Sequence, residues 1–230
     1  MKRKLSKILF FILILTGICV FLNISVTTRQ GINYDLQTIK IPLYLKVLDF
    51  FDRYYNYKAL VKRIVKDAHS DEEKAMMIFK WTHNNIKKAP KELPLIDDHV
   101  WHIIVRGYGA ADQSQDVFTT LCNISGIDAF FLLLNGEANT GRLALSLVKI
   151  QKKWYAFDAH RGVYFKDNQG RLADIGLKNE WLMVSLDEGP GIDYTSYLKN
   201  LPAVKNIGLI RANIQSPLNR LLFEIKKRVR

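Results

Sequence analysis

An α+β fold is predicted, on three observations. Apolar residues recur at helical spacing through the first half of the chain, short strand-like runs bounded by turn signals fill much of the second half, and a long apolar segment precedes both. The 230 residues are 48% hydrophobic, a globular rather than disordered composition, and suffice for one domain with appendages. Two cysteines exclude a disulfide scaffold and a four-thiolate zinc site. Neither standard glycine-rich phosphate loop is present, which argues against nucleotide-driven chemistry.

Charge narrows the partners. Of the net +12, Lys2, Arg3, Lys4 and Lys7 supply +4, and residues 220–230 supply another +4, leaving +4 for the body. Basicity confined to the termini fits a membrane surface better than a nucleic-acid groove, so no nucleic-acid partner is expected.

Behind the first basic cluster, the run from Ile8 to Leu22 is almost wholly apolar, and no charge returns before Arg29. Taken alone it has the length of a signal-peptide core; with Asn23 to Val26 counted in, it becomes long enough to span as a helix. No Ala-x-Ala site follows, which favours an uncleaved anchor over a cleaved signal. The expectation is a basic tip and transmembrane helix over residues 1–28, with residues 8–26 in the lipid membrane. The N-terminus would lie in the cytoplasm and the main domain outside it.

Residues 29–41 read as a linker and 42–69 as a helical extension opened by Pro42. Ser70, with Glu73 three residues on, makes a capping box that starts a second helix carrying Ala75, Ile78, Phe79 and Thr82 on one face. A third helix is expected from Asp112 to Ser125. Strands follow at 129–134, 143–150 and 154–157, the last two joined by a turn at Gln151-Lys152. Asp167-Asn168-Gln169-Gly170 marks a further turn. A core over 70–178 is followed by an extension over 179–230. That extension ends in Ser216-Pro217 and a basic amphipathic helix, which can dock on the domain or on a membrane.

A thiol used for acyl transfer is ionised at a helix N-terminus, deprotonated by a His, and the His is oriented by a carboxylate or amide. Several stretches follow one another along this chain: Glu73-Lys74-Ala75, Gly107-Tyr108-Gly109-Ala110-Ala111, Val117 to Cys122, Gly126-Ile127-Asp128-Ala129, and Lys153-Trp154-Tyr155-Ala156-Phe157-Asp158. Over roughly residues 70–175 the chain resembles the transglutaminase-like domains, relatives of the papain fold. The resemblance implies N-terminal helices packed on an antiparallel sheet. It also places the catalytic Cys at Ala111, the His at Leu143 and the Asp at Asp158. Only the aspartate is present, so the resemblance implies a degenerate site, a filled cleft and no cofactor.

Two readings remain. One is a catalytically inactive binding or scaffold module of the cell envelope. It would hold an extended peptide or a membrane protein in the vestigial cleft, or assist surface-polysaccharide assembly. The other is an active transglutaminase or cysteine protease-like amidase using Cys122 with His160 or His102. Cys122 shares Ala111's helix face about 16 Å along the axis, where a buried thiol is the plainer reading. His99 and His102 can pair on a helix but imply no third metal ligand; His69 and His83 read as helix-surface residues, and Asp112 as a helix cap.

Overall fold

The computed structural model describes residues 2–30, 37–90, 92, 99–136, 141–176, 181–187, 191–199 and 201. In chain order they form α1 (Lys2–Leu22), β1 (Ser25–Gln30), β2 (Gln37–Pro42), α2 (Leu43–Ile64), α3 (Asp71–Asn85), β3 (Lys87–Lys88), α4 (Val100–Arg106) and β4 (Tyr108–Gly109). These are followed by α5 (Ala111–Ile124), β5 (Ala129–Asn135), β6 (Arg142–Ile150), β7 (Lys153–Asp158), β8 (Val163–Lys166), β9 (Leu182–Ser185) and α6 (Tyr194–Leu198). The chain divides into two compact units, Met1–Arg53 and Tyr54–Arg230, with the boundary inside α2.

In the first unit, β1 and β2 pair antiparallel from Ser25↔Pro42 to Gln30↔Gln37. The stretch read as a linker therefore contributes a strand. This pairing also corrects the membrane expectation. Asn23 to Val26, needed to bring the apolar run to spanning length, lie outside α1, and β1 starts at Ser25. The apolar helix is left with Ile8 to Leu22, about 22 Å at 1.5 Å per residue, against a hydrocarbon core of about 30 Å. No helix among the described residues is long and apolar enough to cross a membrane. The transmembrane helix and the single-pass topology expected from the sequence are not supported.

The second unit is the α+β core. β5 to β9 form one antiparallel sheet in sequential order. The tight β6–β7 connection uses Gln151 and Lys152 at φ 50° and 68°, the left-handed pair that a two-residue hairpin turn requires. Helix α5 packs on the face of the sheet that carries Val148 and Phe157, with α3 beside it. The rings of Phe79, Phe118, Phe157 and Tyr164 meet there at centroid distances of 5.3 to 6.5 Å. The opposite face is covered by Tyr194, Tyr197 and Leu198 of α6, which pack against Leu143, Leu145, Leu147 and Ala156. Both faces being apolar, β6 reads as an almost continuous buried run from Leu143 to Val148.

Local signals explain the element ends. Glu73 N–H donates to Ser70 Oγ at 3.1 Å and His69 N–H to Glu73 Oε2 at 2.6 Å, so the capping box forms as expected. Gly107 ends α4 at φ 77°. Gly109 is closely approached: a Cβ there would stand 2.9 Å from Gln113 Oε1 and 3.1 Å from Gln113 Cβ, so a larger residue would displace the Gln113 side chain. The C-terminal helix expected over 216–230 lies outside the described residues.

Candidate functional site

The residues expected at the site come from three places: the first two turns of α5, the middle of β6, and the end of β7 with the loop after it. Ala111 is the first residue of α5, as the spacing required. The preceding N-cap, Ala110, offers no side-chain acceptor; its own N–H is taken by Gln113 Oε1 at 3.0 Å. A thiol at this position would lie beside free backbone N–H groups and a positive helix end. A methyl group stands there instead.

Leu143 is buried, but it belongs to the face of the sheet covered by α6. Side chains alternate along a strand, so Ala144 and Ser146 turn the other way, and Ser146 meets α5 through Gln115. The structure thus keeps the side chain of Leu143 out of the apolar cluster that contains α5.

Asp158, fully buried at the end of β7, is the centre of the arrangement. Its Oδ1 accepts from Gln115 Nε2 at 2.8 Å and from the backbone N–H groups of His160 and Arg161 at 3.1 Å each. Its Oδ2 accepts from Tyr194 Oη at 2.7 Å and the Arg161 guanidinium at 3.1 Å. Five donors on two oxygens leave little acceptor capacity for an imidazole.

Gln115 is equally saturated. Nε2 donates to Asp158 and to Ala144 O at 3.2 Å. Oε1 accepts from Ser146 Oγ at 2.6 Å and Ala159 N–H at 3.2 Å. A carboxamide has two donors and two acceptor sites, and all four are used. Neither Gln115 nor Tyr194 was singled out from the sequence. A signal existed for the first, because position 115 lies on the apolar stripe that includes Ala111, Phe118 and Cys122. None existed for Tyr194, 36 residues beyond Asp158.

His160 is half-buried, and its Nδ1 lies 3.1 Å from Ser114 Oγ. That hydroxyl also lies 3.1 Å from Ala110 O, so its single proton serves one or the other according to the imidazole tautomer. Burial holds His160 below the ordinary histidine pKa; Arg161, Lys88 and His83 add to this and Asp158 opposes it. The expected Asp158–His160 pairing is therefore through the histidine's backbone, while the ring is directed to Ser114. His83 is more than a surface residue: its ring nitrogens contact Ala159 O at 3.3 Å and Asp187 Oδ2 at 2.9 Å.

Cys122 sits in the last turn of α5 and is fully buried, and burial pushes its thiol pKa up. Ser114, the residue on His160, lies eight positions away, about 12 Å along the helix axis. The structure does not bring Cys122 and His160 together. His99 caps α4 and its ring touches that of His102 at 5.7 Å, so the two share a face as a helix predicts. Among the described residues, no group of three or more His, Cys, Asp or Glu could hold a metal ion.

The site thus consists of the start of α5, the end of β7 with its buried Asp158, and the loop that follows. Residues 58–159, a little under half of the chain, match the family model of the transglutaminase-like superfamily. No curated protein matches the chain. Among solved structures, it is similar to a candidate cysteine protease from Cytophaga hutchinsonii (16% identity, TM-score 0.41, covering 57% of this chain and 47% of that one). It is also similar to a TGase (12%, 0.38, 58% and 43%) and to a candidate protease from Parabacteroides distasonis (12%, 0.37, 58% and 35%). The chain thus spans less than half the length of each of these structures.

Proposed function

We propose that this protein is a catalytically silent transglutaminase-like module that works by binding rather than by bond-making, as a scaffold for an extended peptide. The observation that carries the reading is the occupancy of Asp158. The carboxylate that would orient a catalytic imidazole is engaged by Gln115, Tyr194, Arg161 and two backbone amides. Position 111 offers no nucleophile, position 143 no proton acceptor, and covalent catalysis needs both. The envelope role implied by resemblance depended on a membrane anchor. No helix among the described residues is long and apolar enough to cross a membrane, so the proposal is framed without that anchor.

The competing enzyme reading needs Cys122 as a thiolate near a base. Its burial and its position at the far end of α5 from Ser114 and His160 count against that. The test is an assay of the full chain for transfer of a fluorescent amine to a glutamine donor protein and for casein cleavage. Both are expected to equal the rate without protein. Turnover that disappears in Cys122→Ser would establish the enzyme instead. Failure to retain any member of an array of extended peptides would remove the scaffold reading.

A further inference from the structure

The five-stranded sheet ends on β9, and among the described residues no strand lies on its outer side. The register with β8 decides which main-chain groups face that side. Leu182 stands opposite Lys166 and Val184 opposite Tyr164, and Leu186 N–H donates to Gly162 O at 2.9 Å. In an antiparallel pair the bonded positions alternate, and the N–H and C=O of one residue point the same way. Leu182, Val184 and Leu186 therefore bond to β8. The N–H and C=O of Met183 and of Ser185 point outward and meet no partner among the described residues. Ser185 Oγ is shielded from solvent and also has no hydrogen-bond partner.

Exposed edge strands are ordinarily guarded by a charge, a proline or a bulge. The Leu-Met-Val-Ser of β9 carries neither charge nor proline and pairs with β8 without a bulge. Leu182, Met183 and Leu186 are 55, 48 and 36% exposed, so apolar side chains flank the outward main chain on both faces of the sheet. We propose that β9 takes up an extended peptide as a sixth strand, a segment with uncharged, apolar side chains at alternate positions. This rests on the binding reading above, and it seats the peptide at the sheet edge rather than at the start of α5.

The unmet groups select the occupant. Donors and acceptors set out at strand spacing are matched by another extended backbone; a helix uses its own main-chain groups internally, and a lipid chain has none to offer. A second copy of β9 would satisfy the hydrogen bonds but not the area. Three side chains of on the order of 100 Å² each, about half exposed, offer roughly 150 Å² per copy, so a pair would bury roughly 300 Å² where a specific interface needs about 1,000 Å². Two folded domains are not held together by so little. A short peptide has only itself to hold, and it brings its own side chains to both faces of the edge.

The test uses the full chain and a fluorescein-labelled synthetic peptide of alternating valine and threonine with a lysine at each end. The probe's anisotropy is expected to rise and saturate as protein is added. Amide exchange followed by NMR is expected to slow at Met183 and Ser185, and to stay as it was at Leu182, Val184 and Leu186, which are already bonded to β8. Met183→Pro removes an outward N–H and leaves the bonds to β8 in place. It is expected to weaken binding about fivefold or more, the loss of one main-chain hydrogen bond. If circular dichroism shows that variant unfolded, Met183→Lys, which puts a charge on the exposed edge, is expected to weaken binding in its place. Three results would overturn the proposal: a probe that stays free although an array of other peptides is retained, which leaves the binding reading standing; a bound probe that does not slow exchange at Met183 and Ser185; or slow exchange there that needs no probe and grows with protein concentration, which gives the edge to a second copy. An array that retains nothing removes the binding reading itself, and this proposal with it.

Discussion

Replacing Gln115 by alanine tests whether its carboxamide holds α5 to the sheet. The substitution removes four hydrogen bonds at once, to Asp158, Ala144, Ser146 and Ala159, all inside the core. Asp158 Oδ1 keeps two backbone donors and suffers least. The other three groups each lose a partner, and a buried polar group left unpaired costs about 1–3 kcal/mol. Allowing for overlap between neighbours, the expected loss is about 3–5 kcal/mol. For a domain of this size that corresponds to a melting temperature lower by about 10 °C. Urea unfolding followed by circular dichroism gives the free energy, and a thermal scan gives the temperature. Gln115→Met is the control: it keeps most of the side-chain volume without the amide, so it should recover the cavity share of the loss but not the hydrogen bonds. If Gln115→Met came within about 1 kcal/mol of the unaltered protein, simple space-filling would explain the residue and the account of the cluster would fail.

Tyr194→Phe deletes one donor to Asp158 Oδ2 while Arg161 remains, and is expected to cost about 1–2 kcal/mol in the same unfolding measurement. In the folded chain Cys122 should react with a thiol reagent at least about 100-fold more slowly than exposed Cys19, reaching the faster rate only in denaturant; mass-spectrometric labelling distinguishes the two sites. Because burial depresses the pKa of His160, the unfolded chain takes up a proton that the folded chain resists as pH falls through the ordinary histidine range. Stability should therefore decline as the pH is lowered there, and His160→Asn should flatten the slope between about pH 7.5 and 5.5 in urea titrations. A thiol introduced by Ala111→Cys should alkylate faster than Cys122, yet give no amine transfer, because Leu143 is apolar and on the wrong face of β6 and Asp158 is engaged.

Where local chemistry decides, the sequence was readable. Ser70 with Glu73 located the start of α3, the glycines at 107 and 109 located the entry to α5, and the turn at Gln151-Lys152 fixed the β6–β7 hairpin. The transglutaminase-like order of elements was legible for the same reason, and the family model agrees with it over residues 58–159. The β1–β2 pairing was not legible. Ser-Val-Thr-Thr-Arg-Gln and Gln-Thr-Ile-Lys-Ile-Pro carry little apolar pattern, and each is a strand only because the other lies opposite. Missing it made the apolar run look longer than the helix that forms. The orientation of Leu143 was hidden differently: every residue from 143 to 148 is buried, so alternation in the sequence does not say which set faces α5. The Asp158 cluster joins residues 115, 161 and 194, and only a folded chain brings those together.

Asp158 also constrains any path to thiol chemistry at the start of α5. Installing a cysteine at 111 and a histidine on β6 would add two reagents to a site whose third member is already committed. Freeing that oxygen means removing Tyr194 or Gln115, either of which loosens the core before any benefit appears. A lineage or a designer would thus have to cross a stretch of weakened folding before Asp158 could orient an imidazole, so the engaged carboxylate acts as a ratchet held by stability.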